Sequence, residues 1–223
     1  MTSITRYILD KWQEDSSISQ DITTRLTMGV DIARFGGDRT WVTYRTGSVI
    51  TKLLSVEPMD TMDTAKTLWE MAIENGVDAM GVDVIGVGAG VYDRLVEENE
   101  QYSERGDELP LVVYPINSST SASGLTDLSG EVGFVNLRAA GWWLVREIMP
   151  YIAIPDEAQL IADLTAPRWE NTASGAILIE GKKSMRKRLK RSPDAADSFI
   201  ICLLLDAVDL LNVSAEKGGH IIF

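Results

Sequence analysis

Apolar and polar residues follow two different periods along this chain, and the change of period divides it into elements. Leu26 to Ala33 is a short apolar run. Thr40 to Arg45 is rich in β-branched and aromatic residues, and Val49 to Val56 is a third such run. All three predict strands. Phe35-Gly36-Gly37-Asp38-Arg39 and Thr46-Gly47-Ser48 lie between them and carry turn chemistry. An antiparallel meander is therefore expected. From Met59 to Asn75 the apolar positions Met62, Ala65, Leu68, Trp69 and Ala72 fall at helical spacing, with Gly76 as the stop. Ala79 to Val84 reads as a buried strand, Val91 to about Asn99 as a helix and Leu111 to Tyr114 as another strand. That alternation adds parallel crossover units to the meander.

The second half is mostly helical by the same criterion. Phe134 to Met149 predicts a helix stopped by Pro150, and Leu160 to Leu164 a weaker one. Arg168 to Asn171 and Ala176 to Glu180 flank Thr172-Ala173-Ser174-Gly175 and suggest a hairpin. A final helix is expected to start with Ser192 as N-cap and Pro193 in its first turn, and to run to about Leu211. It is apolar on nearly all sides through Phe199 to Leu205, so it should be buried. Asn117 to Gly130, small and polar, is expected to be a mobile loop. Residues 1–26 read as an N-terminal arm or former interdomain linker with a short helical stretch from Ile4 to Gln13. Residues 27–211 form one domain and 212–223 a tail.

Composition removes several chemistries. The 223 residues contain one cysteine, Cys202, and one histidine, His220. An intrachain disulfide and the usual zinc sites are excluded, and a reducing, intracellular compartment fits. No run approaches the ~18 apolar residues of a membrane span. The net charge of −12 alone argues against a nucleic-acid partner, but its distribution does not. Seven of the ten residues from Lys182 to Arg191 are basic (Lys182, Lys183, Arg186, Lys187, Arg188, Lys190 and Arg191), leaving 14 basic against 33 acidic residues elsewhere. An unmixed basic run beside an acidic body suits contact with a phosphate backbone, although many charge runs are only solvated helix faces.

Three carboxylates stand where solubility does not explain them. Asp31 lies inside the apolar run Met28 to Ala33, and Asp83 inside Met80 to Ile85. Asp197 precedes the apolar stretch of the last helix, with Asp194 one turn earlier on the same face. A carboxylate near a core costs several kcal/mol unless paired or bound to metal. Asp31 could instead begin a turn, Asp83 could cap the glycine-rich segment, and Asp194 could favour the helix dipole. Together they suggest an all-oxygen site for a hard divalent ion, Mg²⁺ or Mn²⁺, with Asp194 as an accessory ligand at most. Gly86-Val87-Gly88-Ala89-Gly90 departs from the dinucleotide-binding pattern. It reads better as a tight strand-to-helix turn whose backbone amides approach a phosphate.

The runs GVDIARFGGDRT (29–40), GVDVIGVGAGVYDRL (81–95) and RSPDAADSF (191–199) resemble the nuclease domain of the large terminase subunit of tailed bacteriophages. FVNLRAAGWW (134–143) and Pro167-Arg168-Trp169 follow the same order. The resemblance spans roughly Met28 to Asp209. It implies a ribonuclease H-like α/β fold, a mixed sheet flanked by helices. It also implies two-metal cleavage of concatemeric double-stranded viral DNA, with catalytic acids at Asp31, Asp83 and Asp197 and an additional ligand at Asp194. Implied partners are an N-terminal ATPase domain, the small terminase subunit and the portal protein, in the host cytoplasm. Arg138 matches a recurrent arginine of the family. Two departures stand out: Ala140 replaces a usual acid, and no phosphate-binding G-x-x-x-x-G-K-[ST] loop is present, so an excised C-terminal domain is expected. Two other functions fit the same pattern: an actin/hexokinase-like ATPase or kinase domain, or a non-catalytic DNA-binding module of this fold.

Overall fold

The computed structural model describes residues 2–18, 25–33, 39–104 and 111–208. Residues 35–38 of the first expected turn, residues 209–211 of the last expected helix, His220 and the expected tail lie outside them. In chain order the elements are β1 (Thr2–Ser3), α1 (Ile4–Ile18), β2 (Leu26–Asp31), β3 (Thr40–Thr46), β4 (Val49–Val56), α2 (Thr61–Asn75), β5 (Ala79–Asp83) and α3 (Gly88–Glu104). They continue with β6 (Val112–Ile116), β7 (Leu125–Thr126), α4 (Leu137–Ile148), α5 (Ala158–Leu164), β8 (Trp169–Asn171), β9 (Ile177–Ile179), α6 (Lys182–Leu189) and α7 (Asp194–Leu204). A 3₁₀ turn, Leu205–Ala207, extends α7.

The central sheet has the order β4-β3-β2-β5-β6. β2, β3 and β4 are antiparallel, whereas β5 and β6 run parallel to β2. This is the expected meander with parallel crossovers. One face is covered by α2 and α3 through Met28, Val30, Val42, Tyr44, Leu68, Val82 and Leu95. The other is covered by α7, with α4 and α1 packed outside it.

Strand alternation explains how α7 reaches the sheet. Met28, Val30, Met80 and Val82 point toward α2 and α3, so the alternate positions Gly29, Asp31, Gly81 and Asp83 face α7. Gly29 and Gly81 are register partners across β2 and β5. A Cβ at Gly29 would stand 2.3 Å from the Ser198 carbonyl oxygen, and one at Gly81 2.8 Å from the Ile201 side chain. The helix therefore lies closer to the sheet than a side chain would allow. Thr43 and Ser198 hydroxyls meet at 2.8 Å beneath it, and Thr27 lies 3.3 Å from the Cys202 sulfur. Cys202 is thus a buried packing group.

Several elements differ from the sequence-based expectation. The stretch expected as an arm puts Ile4 and Ile8 fully into the core. Its helix is tied to α4 by Thr5 donating to Glu147 at 2.5 Å, and to the end of α7 by Trp12 Nε1 donating to Asp206 at 2.6 Å. Asp206 also pairs with the buried Arg45 guanidinium at 2.7 Å. The loop expected to be mobile is held down instead. Ala122 and Leu125 are buried, β7 pairs with β1, and Ser118 and Thr120 carbonyls accept from Arg138 and Leu137 amides, each at 2.8 Å. α3 begins at Gly88, within the glycine segment rather than after it. α7 begins at Asp194 with Pro193, not Ser192, in the cap position, and neither residue's side chain caps it.

Candidate metal centre

Parallel register carries Asp31 and Asp83 to the same place. Val30 pairs with Val82, so the aspartates that follow end adjacent strands at their carboxyl edge, facing α7. Such carboxyl ends are where open α/β sheets bind ligands. Asp31 is 3% exposed and Asp83 8%. β5 turns sharply away here: Ile85 N–H donates to Asp83 Oδ1 at 3.0 Å. A Cβ on Gly88 would lie 1.7 Å from the Asp83 carbonyl oxygen, so glycine alone fits that approach.

α7 brings the other two acids. Asp194 begins the helix and Asp197 stands three residues on, directed at the strand ends. The helix is held there by a remote cap. Asp163 on α5, fully buried, accepts the Ala195 N–H at 3.2 Å, the Gln159 amide at 3.0 Å and the Arg191 guanidinium. Lys190 takes a left-handed conformation, φ 63°, to end α6 and turn the chain into α7.

Asp31, Asp194 and Asp197 each offer an oxygen within 4.8 Å of the others. Asp83 borders this trio rather than joining it. Asp194, expected as an accessory ligand at most, is one of the trio. Between them lies the Lys182 ammonium, 3.2 Å from Asp31, 2.9 Å from Asp197 and 3.8 Å from Asp83. On its other oxygen Asp197 accepts from Arg138 Nη1 at 2.9 Å.

The charges shape one another. Burial pushes Asp31 well above the ordinary aspartate value of 3.8; Lys182 pulls it down and the neighbouring acids push it further up. Asp83 and Asp194 are also raised, chiefly by burial. Burial likewise acts to raise Asp197, but Arg138 and Lys182 outweigh it and hold this carboxyl below 3.8. Burial acts against the Lys182 charge, yet the surrounding aspartates raise its pKa far enough that it stays protonated at neutral pH.

The donor set fits a hard divalent cation. It is all oxygen, it carries excess negative charge, and a cationic ammonium already sits among the carboxylates. An open cleft of about 460 Å³ leads to it, lined by Ser118, Ser119, Asn136, Arg138, Lys183 and Arg186.

The seven basic residues divide into groups. Lys182 turns inward to the acids. Arg188 is engaged by Glu180, which it holds down at about 2, and Arg191 by Asp163. Lys183 and Arg186 line the cleft, and Lys187 and Lys190 are exposed on the same helix end. Three of the seven residues expected to contact DNA are thus drawn into ion pairs, because buried or clustered carboxylates lie within reach. The hairpin that precedes them forms as expected. Trp169 at its base is half exposed and packs edge-on against Trp143, with ring centroids 5.0 Å apart. Asp163 is the supporting residue that sequence reasoning missed; Arg138, whose role the sequence left open, lies against Asp197.

No family model matches the sequence, and no curated protein matches it. Solved structures do. The nuclease domain of the large terminase subunit gp2 of bacterial virus Sf6 superimposes with a TM-score of 0.62 at 21% identity, covering 91% of this chain and 98% of that one. A point mutant of the same domain with manganese gives 0.62 at 19% identity, covering 91% and 99%. The large terminase nuclease from thermophilic phage G20c with bound magnesium gives 0.50 at 15% identity, covering 83% and 82%. The fold is that of these nuclease domains, a ribonuclease H-like mixed sheet between layers of helices.

Proposed function

We propose that this chain is a divalent-metal-dependent endodeoxyribonuclease, the nuclease domain of a phage DNA-packaging terminase that cuts concatemeric double-stranded DNA. One observation carries the proposal: Asp31, Asp194 and Asp197, from a strand end and a helix start far apart in sequence, converge on one cation-binding spot with Asp83 at its border. These four residues would hold Mg²⁺ or Mn²⁺, as two ions in this reading. Bound ions of this kind supply an activated water and stabilise the leaving oxygen of a phosphodiester. The similar domains with manganese or magnesium support that choice of metal.

The remaining residues serve substrate placement. Lys183 and Arg186 on the cleft wall, with Lys187 and Lys190 beyond them, present positive charge to a phosphate backbone and read no sequence. The acidic remainder of the chain confines DNA attraction to this wall. The ATPase domain, small terminase subunit and portal protein of such a machine are the proposed partners, in the host cytoplasm. Among the described residues no helix is long and apolar enough to cross a membrane.

Mn²⁺-dependent cleavage of plasmid DNA is the test. Asp31→Ala, Asp83→Ala and Asp197→Ala should each abolish nicking and linearisation while circular dichroism shows a retained fold. If all three variants still cut, the assignment of these acids is wrong. ATP-independent cutting by the parent chain is also expected.

A further inference from the structure

Asp197 has a different cation on each of its oxygens. Arg138 Nη1 donates to Oδ1 at 2.9 Å, whereas Oδ2 makes no directed hydrogen bond among the described residues and faces the Lys182 ammonium at 2.9 Å. The two cations differ in freedom. The Lys182 side chain is 36% exposed on a flexible stem at the cleft wall. The Arg138 side chain is 11% exposed, and its guanidinium lies 5.6 Å from the Trp142 ring centroid.

The backbone beneath Arg138 is fixed as well. Asn136 caps α4 by accepting the Ala139 N–H at 2.9 Å, and Arg138 N–H donates to the Ser118 carbonyl at 2.8 Å. Beside the guanidinium lies a chamber of about 20 Å³ whose walls include Asp83, Arg138, Trp142, Lys182, Asp197 and Ile200. Arg138 Nε and Nη2 and Trp142 Nε1 have no hydrogen-bond partner among the described residues. The chamber has room for one water, which can accept from two of these donors. Arg138 borders the cleft too, but its side chain is far less exposed than that of Lys182.

We propose that Arg138 is a positioning residue: it holds Asp197 Oδ1, so that Asp197 turns Oδ2 alone toward the metal site. The inference rests on the metal-centre reading and adds the reason one face of that centre is rigid. A planar guanidinium fixes the carboxylate's orientation as well as its charge. A lysine in its place supplies only a point charge on a flexible stem. Partners that orient a metal ligand typically contribute 10–100-fold in metal affinity.

Titration calorimetry with Mn²⁺ on the parent, Arg138→Gln and Arg138→Lys tests this, run well below each variant's Tm and accompanied by the electron paramagnetic resonance line shape of the bound ion. Arg138→Gln should weaken Mn²⁺ binding by about 10–100-fold and alter the line shape, and Arg138→Lys should weaken it less. A residue that served the fold alone would lower Tm and leave both readouts of the folded protein unchanged; that result overturns the proposal. If Arg138→Gln does not fold, Arg138→Lys decides: weaker binding upholds the proposal and parent-like binding with a parent-like line shape rejects it. A parent chain that takes up no Mn²⁺ removes the metal centre itself, and this inference with it.

Discussion

The carboxylate of Asp163 accepts a hydrogen bond from the Ala195 backbone N–H at 3.2 Å, so the helix carrying Asp194 and Asp197 is capped from a neighbouring helix. Asp163 is fully buried and also engages Arg191. Arg191 is partly exposed and can turn to solvent, so the cost of removing Asp163 is chiefly that of leaving its buried donors unpaired, about 1–3 kcal/mol. Asp163→Ala should lower stability by that order in urea titrations and weaken Mn²⁺ binding. Asp163→Asn, which keeps acceptor capacity, should lose less. Parent-like stability in Asp163→Ala would remove the cap from the account.

Lys182 occupies the place a metal ion would take. Lys182→Ala should therefore destabilise the metal-free protein, whose acids then repel without compensation. It should also raise Mn²⁺ affinity, by about tenfold if displacing the ammonium costs near 1.4 kcal/mol. The gap in Tm between metal-free and Mn²⁺-loaded protein should widen. A narrower gap would mean that Lys182 assists binding rather than competing with it.

Asp31, Asp83 and Asp194 are raised above 3.8, burial being the main cause in each. A carboxyl with a raised folded pKa contributes stability below its unfolded value and loses that contribution as pH climbs through the folded one. The metal-free protein should thus lose stability from about pH 4 upward, across the raised values. Mn²⁺ affinity should increase over the same window as protons leave. Asp197, lowered, works in the opposite sense: its contribution is present above 3.8 and is lost as pH falls through its folded value. Calorimetry at several pH values, with proton release measured in two buffers, checks this. Affinity independent of pH would contradict it.

Lys183, Lys187 and Lys190 are exposed, unlike the inward-turned Lys182 and the paired Arg188 and Arg191. Replacing the three lysines by alanine should reduce the slope of log K against log salt for duplex DNA by up to ~2.7, at about 0.9 per lost phosphate contact. Arg188→Ala should act mainly on stability, by releasing Glu180. Fluorescence anisotropy across a salt series separates the two. An unchanged slope in the triple variant would make the helix end a solvated face only.

Gly29→Ala would drive a methyl into the Ser198 carbonyl and the Cys202 amide, at 2.3 and 2.5 Å. Both are backbone atoms that cannot rotate away. A loss at or above the upper end of the ~1–3 kcal/mol usual for overpacking is expected, with weaker Mn²⁺ binding because Asp197 is pushed from Asp31. Thermal unfolding of the variant provides the measurement; a Tm equal to the parent's would refute the close approach.

Much of this is legible in the residues because strand and helix periods are local. The tripeptide Gly-Val-Asp stands at 29–31 and again at 81–83. In each copy the glycine lets α7 come close, the valine packs the core and the aspartate reaches the site. Asp194 is easily undervalued because a helix-start acid has an ordinary explanation in the dipole. Lys182 reads as a DNA contact because its neighbours are basic. Yet two lysines opening a helix oppose its dipole, a sign that something else holds them. Asp163 is not recoverable from pattern, since it acts through a partner 32 residues away, and Arg138 is marked only by the family resemblance because its partner lies 59 residues away. Asn117–Gly130 looks mobile by composition, but its small polar residues form turns closed by backbone hydrogen bonds.

The helix that delivers Asp194 and Asp197 is nearly the last described element, more than 100 residues after Asp83. A nascent chain still short of that point has its sheet acids but no ion trap. In the proposed reading, competence to cut therefore arrives only once Asp194 and Asp197 have been added, and a product truncated before Asp194 is expected to leave DNA intact.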